Sequence, residues 1–296
     1  MIVVNLGSAC RVRFSCLLVG CLIRLLTLSP IQAQFESNLR EWTVAGEKRQ
    51  AIVLLPKKEL TTGHPLLFVF HGHGGNMRNM ARKNFQELWP EAVVVCPQGL
   101  ATATDRDPEG KKSGWQPTSG SNDDRDLKLV DAILKDLQDK HKIDRSKVFA
   151  TGHSNGGGFT YLLWQKRADK FAAFAPIAAG ARASGERPRP EPRPILHIAG
   201  EKDLVVPFEG QQRMMKLVKT LNHCKSEGKP WAKAGSLTGT IFDSTDNAPF
   251  VEVTHPGGHP FPDKAPELIV RFFKEIASPA NAPSSESKNG ASDSKK

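Results

Sequence analysis

Lys147-Val148-Phe149-Ala150-Thr151-Gly152-His153-Ser154-Asn155-Gly156-Gly157-Gly158 is the stretch from which the fold is read. A short apolar, β-favouring run leads into Gly-x-Ser-x-Gly, and residues 159–164 continue with an apolar pattern that suits a packed helix. The order is strand, sharp turn, helix, with Ser154 at the apex. Gly152 and Gly156 leave no Cβ where the turn brings the strand and helix backbones together, and a strained backbone at the serine needs that room. A Gly-x-Ser-x-Gly match alone is weak, because loops use both residues freely. Its place between a strand and a helix makes it specific.

Working outward, strand-like and helix-like runs alternate. Residues 41–44 and 51–55 read as strands, and Leu66-Leu67-Phe68-Val69-Phe70 is a continuous apolar run of the kind buried on both faces of a sheet. Further strands are expected at 92–95, 147–151, within 171–179, at 195–199 and at 250–254. Helices are expected at 77–89, 123–140, 208–221 and 267–276. The helix at 123–140 places Leu127, Val130, Ile133, Leu134 and Leu137 on one face, with Asn122 or Asp123 as its cap. Such alternation predicts an α/β fold with a mainly parallel sheet and helices on both faces.

The ends and one connection read differently. Arg11 and Arg13 precede an almost wholly apolar run over residues 14–28, followed by Ser29-Pro30-Ile31-Gln32-Ala33, which reads as a secretory signal peptide over 1–33 cleaved near Ala33. Arg24 interrupts the run and argues against a spanning helix. Leu18-Val19-Gly20-Cys21 resembles a lipoprotein box, but too few apolar residues precede it. The expected catalytic domain is 34–277. Residues 278–296 are rich in Ser, Ala, Asn and Lys without large apolar residues and read as a disordered tail. Residues 182–194 hold four prolines and four arginines and read as an extended connection between strands.

With the signal removed, Cys96 and Cys224 are the remaining cysteines, enough for one disulfide and too few for a thiolate metal cluster. The net charge of +10 falls to about +7 with the loss of Arg11, Arg13 and Arg24. No basic helix or aromatic-interleaved basic strand accompanies it, so a nucleic-acid partner is not expected. An acidic polysaccharide or cell wall suits a solvated basic surface better.

Several motifs occur in one order: His71-Gly72-His73-Gly74-Gly75-Asn76, Pro97-Gln98-Gly99, Gly114-Trp115, Asp123-Asp124, Gly152-His153-Ser154-Asn155-Gly156-Gly157, Gly200-Glu201-Lys202-Asp203 and Gly257-Gly258-His259. Together they resemble the polyhydroxybutyrate depolymerase and feruloyl esterase-like family of secreted α/β-hydrolases, over about residues 45–277. Ala199 precedes Gly200 where relatives often carry His. The resemblance implies a single-domain α/β-hydrolase fold and a serine esterase that needs no metal or organic cofactor.

The residues support the same chemistry. A serine hydroxyl is a poor nucleophile at neutral pH, so an imidazole must take its proton and a carboxylate must fix the imidazole's tautomer. Ser154, Asp203 and His259 follow the Ser, Asp, His order of this fold, each in a loop after a strand. Asp203 is favoured over Glu201, Asp243 and Asp246, and His259 over His255. His197, inside a strand, reads as a hydrogen-bonded core residue, and the His153 side chain is expected to point away from Ser154. The oxyanion is expected on the N–H groups of Asn155 and His73. A metal held by His71 and His73 lacks further ligands, and no P-loop Lys follows the glycines. Trp115, in the irregular stretch 97–121, is a candidate wall of the substrate pocket or else a cover for the core. Open substrates are short hydroxyacyl or polyester-oligomer, feruloyl and acetyl-carbohydrate esters. Rival readings are a peptidase or acyltransferase on the same fold, or a silent carbohydrate-binding protein.

Overall fold

The computed structural model describes residues 38–180 and 189–278. The expected signal peptide, residues 182–188 of the proline-arginine stretch, and the tail beyond its first residue lie outside the described residues.

In chain order the strands are β1 (Leu39–Val44), β2 (Glu47–Leu54), β3 (His64–Phe70), β4 (Val93–Pro97), the two-residue β5 (Leu100–Ala101) and β6 (Ser113–Gly114), β7 (Ile143–His153), β8 (Ala173–Ile177), β9 (Ile195–Gly200), β10 (Lys229–Ala234), β11 (Leu237–Phe242) and β12 (Phe250–His255). The α-helices are α1 (Met77–Ala81), α2 (Phe85–Leu88), α3 (Arg125–Lys140), α4 (Asn155–Arg167), α5 (Phe208–Leu221) and α6 (Ala265–Ala277).

Ten strands form one sheet in the order β1-β2-β4-β3-β7-β8-β9-β12-β11-β10. The run from β4 to β12 is parallel, and antiparallel pairs extend it at either side. Side chains alternate across the sheet as the period of two requires. Leu66, Phe68 and Phe70 of β3 join a core under α3, α4 and α5, while Leu67 and Val69 join a second core under α1, α2 and α6. All five are at most 1% exposed. Each such side chain contributes about 1.5–3 kcal/mol on burial, so a one-residue slip of β3 would exchange the two layers at large cost.

The sequence reading holds for the fold class and differs in detail. The expected helix over 77–89 is two short helices, because Asn84 takes a left-handed backbone (φ 58°) and breaks the run. The helix expected from residue 123 begins at Arg125. Asn122, Asp123 and Asp124 all have positive φ, and the Asp124 carboxylate turns back to accept from the Gly120 N–H and the Gln116 amide. Gln116 caps α3 instead, its Oε1 accepting from the N–H groups of Asp126 and Leu127. The hairpin β10–β11 occupies a stretch where the sequence reading places no element. Cys96 is buried, Cys224 is half-buried, and both are free thiols.

Strand register brings the chemistry to one edge. Phe70 pairs with Gly152, His153 with Ile177, and Gly200 with His255. The loops that follow β3, β7, β9 and β12 therefore all leave the sheet at its carboxyl end, where open α/β sheets build their sites.

Candidate active site

Ser154 stands between β7 and α4 with φ 57° and ψ −118°, a backbone state that costs on the order of 1–3 kcal/mol for a non-glycine residue. The turn is tight enough that its glycines are obligatory. A Cβ on Gly152 would lie 2.3 Å from the Gly156 carbonyl oxygen, and one on Gly156 would lie 2.5 Å from that of His71.

His259 Nε2 lies 2.8 Å from Ser154 Oγ, and its Nδ1 lies 2.8 Å from Asp203 Oδ2. A carboxylate only accepts, so Nδ1–H donates to Asp203 and the bare Nε2 faces the serine hydroxyl. The Asp203 side chain is fully buried and that of His259 is 18% exposed. Asp203 Oδ1 accepts from the N–H groups of Val205 and Val206, and Oδ2 accepts also from Gln211 Nε2. The loops that carry Asp203 and His259 brace one another: Glu201 N–H donates to His255 O, Lys202 N–H to Gly257 O, and a Cβ on Gly200 would strike the Gly258 carbonyl at 2.5 Å. The rivals for these roles are occupied elsewhere. Asp243 pairs with Lys229, Asp246 with His223, and His255 Nδ1 accepts from the Gly257 N–H.

The loop after β3 is fixed by His71, which is buried. Its Nε2 accepts from the Gly99 N–H at 2.9 Å, so Nδ1 carries the proton and donates to Gly72 O at 2.8 Å. Burial lowers its pKa and keeps the ring neutral. Gly74 and Gly75 donate to Ser113 O and Gly72 O, so their N–H groups are spent within the structure. A Cβ on Gly72 would come within 3.4 Å of Ser154 Cβ, which places this loop directly over the serine. The His73 ring bonds Asp107 at 3.0 Å.

Trp115 does not wall a pocket. It is fully buried, stacked on Phe159 with ring centroids 5.4 Å apart, and its Nε1–H donates to His71 O. The physical reason is the Asn155 side chain, which accepts from Trp115 N–H and donates to Trp115 O, drawing the indole beneath the loop. Arg106 donates to the carbonyls of Leu204 and Val205, and Asp107, which bonds the His73 ring, also accepts from the N–H groups of Lys111 and Lys112, so residues 106 and 107 link the loop after β3 to the loop that carries Asp203. Leu204 is 87% exposed there.

His153 has a contact that the sequence reading did not assign to it. Its ring packs 5.0 Å from that of His259, and its Nε2–H donates to the His259 carbonyl at 2.8 Å. Burial pushes its pKa down to about 4, so it stays a neutral donor. Its position directly before the nucleophile was the only signal in the sequence.

A serine on a strained strand-to-helix turn of a mainly parallel sheet, with a carboxylate and an imidazole brought to it from the loops after β9 and β12, has the arrangement of an α/β-hydrolase of the serine esterase class. No family model matches the chain. Over 205 residues it is 34% identical to a probable feruloyl esterase C of Aspergillus flavus, an alignment covering 69% of this chain and 72% of the relative. Against feruloyl esterase C of Emericella nidulans the identity is 31% over 198 residues, covering 66% and 70%. An acetyl xylan esterase structure from Aspergillus awamori shares the fold with a TM-score of 0.63 at 13% identity, over 80% of this chain and 98% of that one. The chain belongs to the feruloyl esterase-like family of α/β-hydrolases and is a carboxylic ester hydrolase.

Proposed function

We propose that Ser154 attacks the ester carbonyl, His259 takes and returns the proton, and Asp203 holds the imidazole in the required tautomer. The observation that carries this reading is His259 bridging Ser154 and Asp203 at 2.8 Å on each side. The hydroxyl proton passes to Nε2 as Oγ bonds the carbonyl carbon. The tetrahedral oxyanion collapses, the alcohol leaves with the proton from Nε2, and water attacks the acyl-enzyme by the same route. Asn155, as the first residue of α4, has no intrahelical acceptor for its N–H, and that donor and the His73 N–H hold the oxyanion.

The substrate class is a hydroxycinnamoyl ester carried on polysaccharide. Support comes from the relatives named feruloyl esterase C and from the exposed apolar Leu204 directly after Asp203. The basic composition suits a cell-wall polymer, and the residues 1–33 read as an export signal suit an enzyme working outside the cell. Among the described residues no helix is long and apolar enough to cross a membrane.

The test is covalent labelling by a fluorophosphonate, with hydrolysis of methyl ferulate compared against nitrophenyl acetate and butyrate. Labelling lost in Ser154→Ala and a preference for methyl ferulate are expected. A folded wild-type protein that resists the label sinks the nucleophile assignment. A preference for acetate with no turnover of methyl ferulate sinks only the substrate class.

A further inference from the structure

Behind Asp203 lies a file of fully buried polar side chains that the proposed chemistry leaves unused. Gln211 on α5 donates from Nε2 to Asp203 Oδ2 at 3.1 Å and to Val206 O at 2.8 Å. His197 Nε2 lies 3.1 Å from Gln211 Oε1, and the Tyr161 hydroxyl lies 2.6 Å from His197 Nδ1. Tyr161, His197 and Gln211 are each 0% exposed. Burying three polar side chains is costly unless each is paired, and here each is.

The direction of every bond in the file is determined. A carboxylate and a carbonyl only accept, so the nitrogen of the Gln211 amide must face Asp203 and Val206, and its oxygen must face His197. That oxygen accepts, so His197 carries its proton on Nε2 and its Nδ1 is bare. The bare nitrogen takes the Tyr161 O–H. Reversing any one link turns the Gln211 oxygen toward the Asp203 carboxylate. Burial pushes the His197 pKa down to about 4, which keeps a single proton on the ring.

We propose that Gln211, held in one orientation by His197 and Tyr161, is a positioning residue for Asp203. With two N–H groups on Oδ1 and with Gln211 and His259 on Oδ2, the carboxylate plane cannot rotate, and Oδ2 stays aimed at His259 Nδ1. The file sets the acid that sets the base. This rests on the assignment of Ser154, His259 and Asp203 made above.

Kinetics on the full-length protein with nitrophenyl acetate separate this from a purely structural role. Gln211→Met keeps the volume and removes both polar ends, and it lowers kcat by about tenfold to a hundredfold. KM stays within about twofold, because the residue does not touch substrate. Tyr161→Phe removes one hydroxyl at the far end and lowers kcat by about threefold to tenfold. In the Gln211→Met background, Tyr161→Phe has no further effect on kcat, because its influence runs through the amide. Wild-type kcat in folded Gln211→Met, or additive losses in the double variant, overturns the proposal. Should Gln211→Met not fold, Tyr161→Phe decides, and an unchanged kcat in that variant is equally fatal. If Ser154→Ala keeps full activity, the underlying assignment falls and the positioning role with it, a result separate from the variants at 211 and 161.

Discussion

A methyl group on Gly152 would overlap the Gly156 carbonyl oxygen, and the atom it meets is backbone, which cannot swing aside as a side chain would. Gly152→Ala must therefore push β7 and α4 apart at the one turn that carries Ser154. A displacement near 1 Å at a reacting group costs about a hundredfold in rate. Gly152→Ala is expected to lose at least that much kcat/KM against nitrophenyl acetate, and near-wild-type turnover in a folded variant contradicts the close approach described here. At this scale much was legible. Gly152, Ser154, Asp203 and His259 are short-range signals, each readable from a loop that follows an apolar run. Gln211 was less so, since a glutamine on an amphipathic helix resembles a surface residue. Its signal was register: with Met214, Met215 and Val218 it occupies the buried face of α5, where an uncharged polar residue demands a partner.

At the scale of elements, the pair that ties β2 to α3 was invisible in the sequence. Arg49 and Asp126 are separated by 77 residues, their side chains are fully buried, and the guanidinium meets the carboxylate at 2.7 Å. The other carboxylate oxygen accepts from the Gln116 N–H, and Gln116 in turn caps α3, so one ion pair, one cap and one loop share their atoms. Removing one charge strands the other. Arg49→Leu is expected to cost about 3–5 kcal/mol in urea unfolding, while the double variant Arg49→Leu/Asp126→Leu recovers part of the loss. A single variant within about 1 kcal/mol of wild type refutes that role for the pair. Long-range pairing of this kind also explains why the sequence left Trp115 open between a pocket wall and a cover for the core. Sequence shows an indole in a long irregular stretch, and only the fold shows Asn155 drawing it under the loop after β3. The β10–β11 hairpin escaped for a simpler reason: with Lys, Pro and Gly at the sheet's edge and one buried face, it lacks a continuous apolar run.

Across the whole molecule, buried neutral histidines set the response to acid. His153 and His197 are both pushed down to about 4 by burial, against an ordinary value of 6.5, and His71 is lowered by the same cause. The unfolded chain therefore binds more protons than the folded one between about pH 6.5 and pH 4. Stability is fully present above the unfolded value and is lost as pH falls toward the folded value. For each of the two rings the loss reaches roughly 2 kcal/mol by pH 5, a large share of a typical total of about 5–15 kcal/mol. The paired carboxylates Asp131 and Asp144, also lowered, act in the same direction further down. Urea midpoints are expected to fall steadily between pH 7.5 and pH 5. His197→Asn, which cannot ionise, should start less stable at pH 7.5 because the Tyr161 and Gln211 contacts are disturbed, yet it should lose less on acidification. A midpoint that stays level to pH 5, or a His197→Asn slope as steep as the wild type, would mean that the buried file behind Asp203 takes up protons as readily folded as unfolded, and with it would go the single fixed direction of its hydrogen bonds.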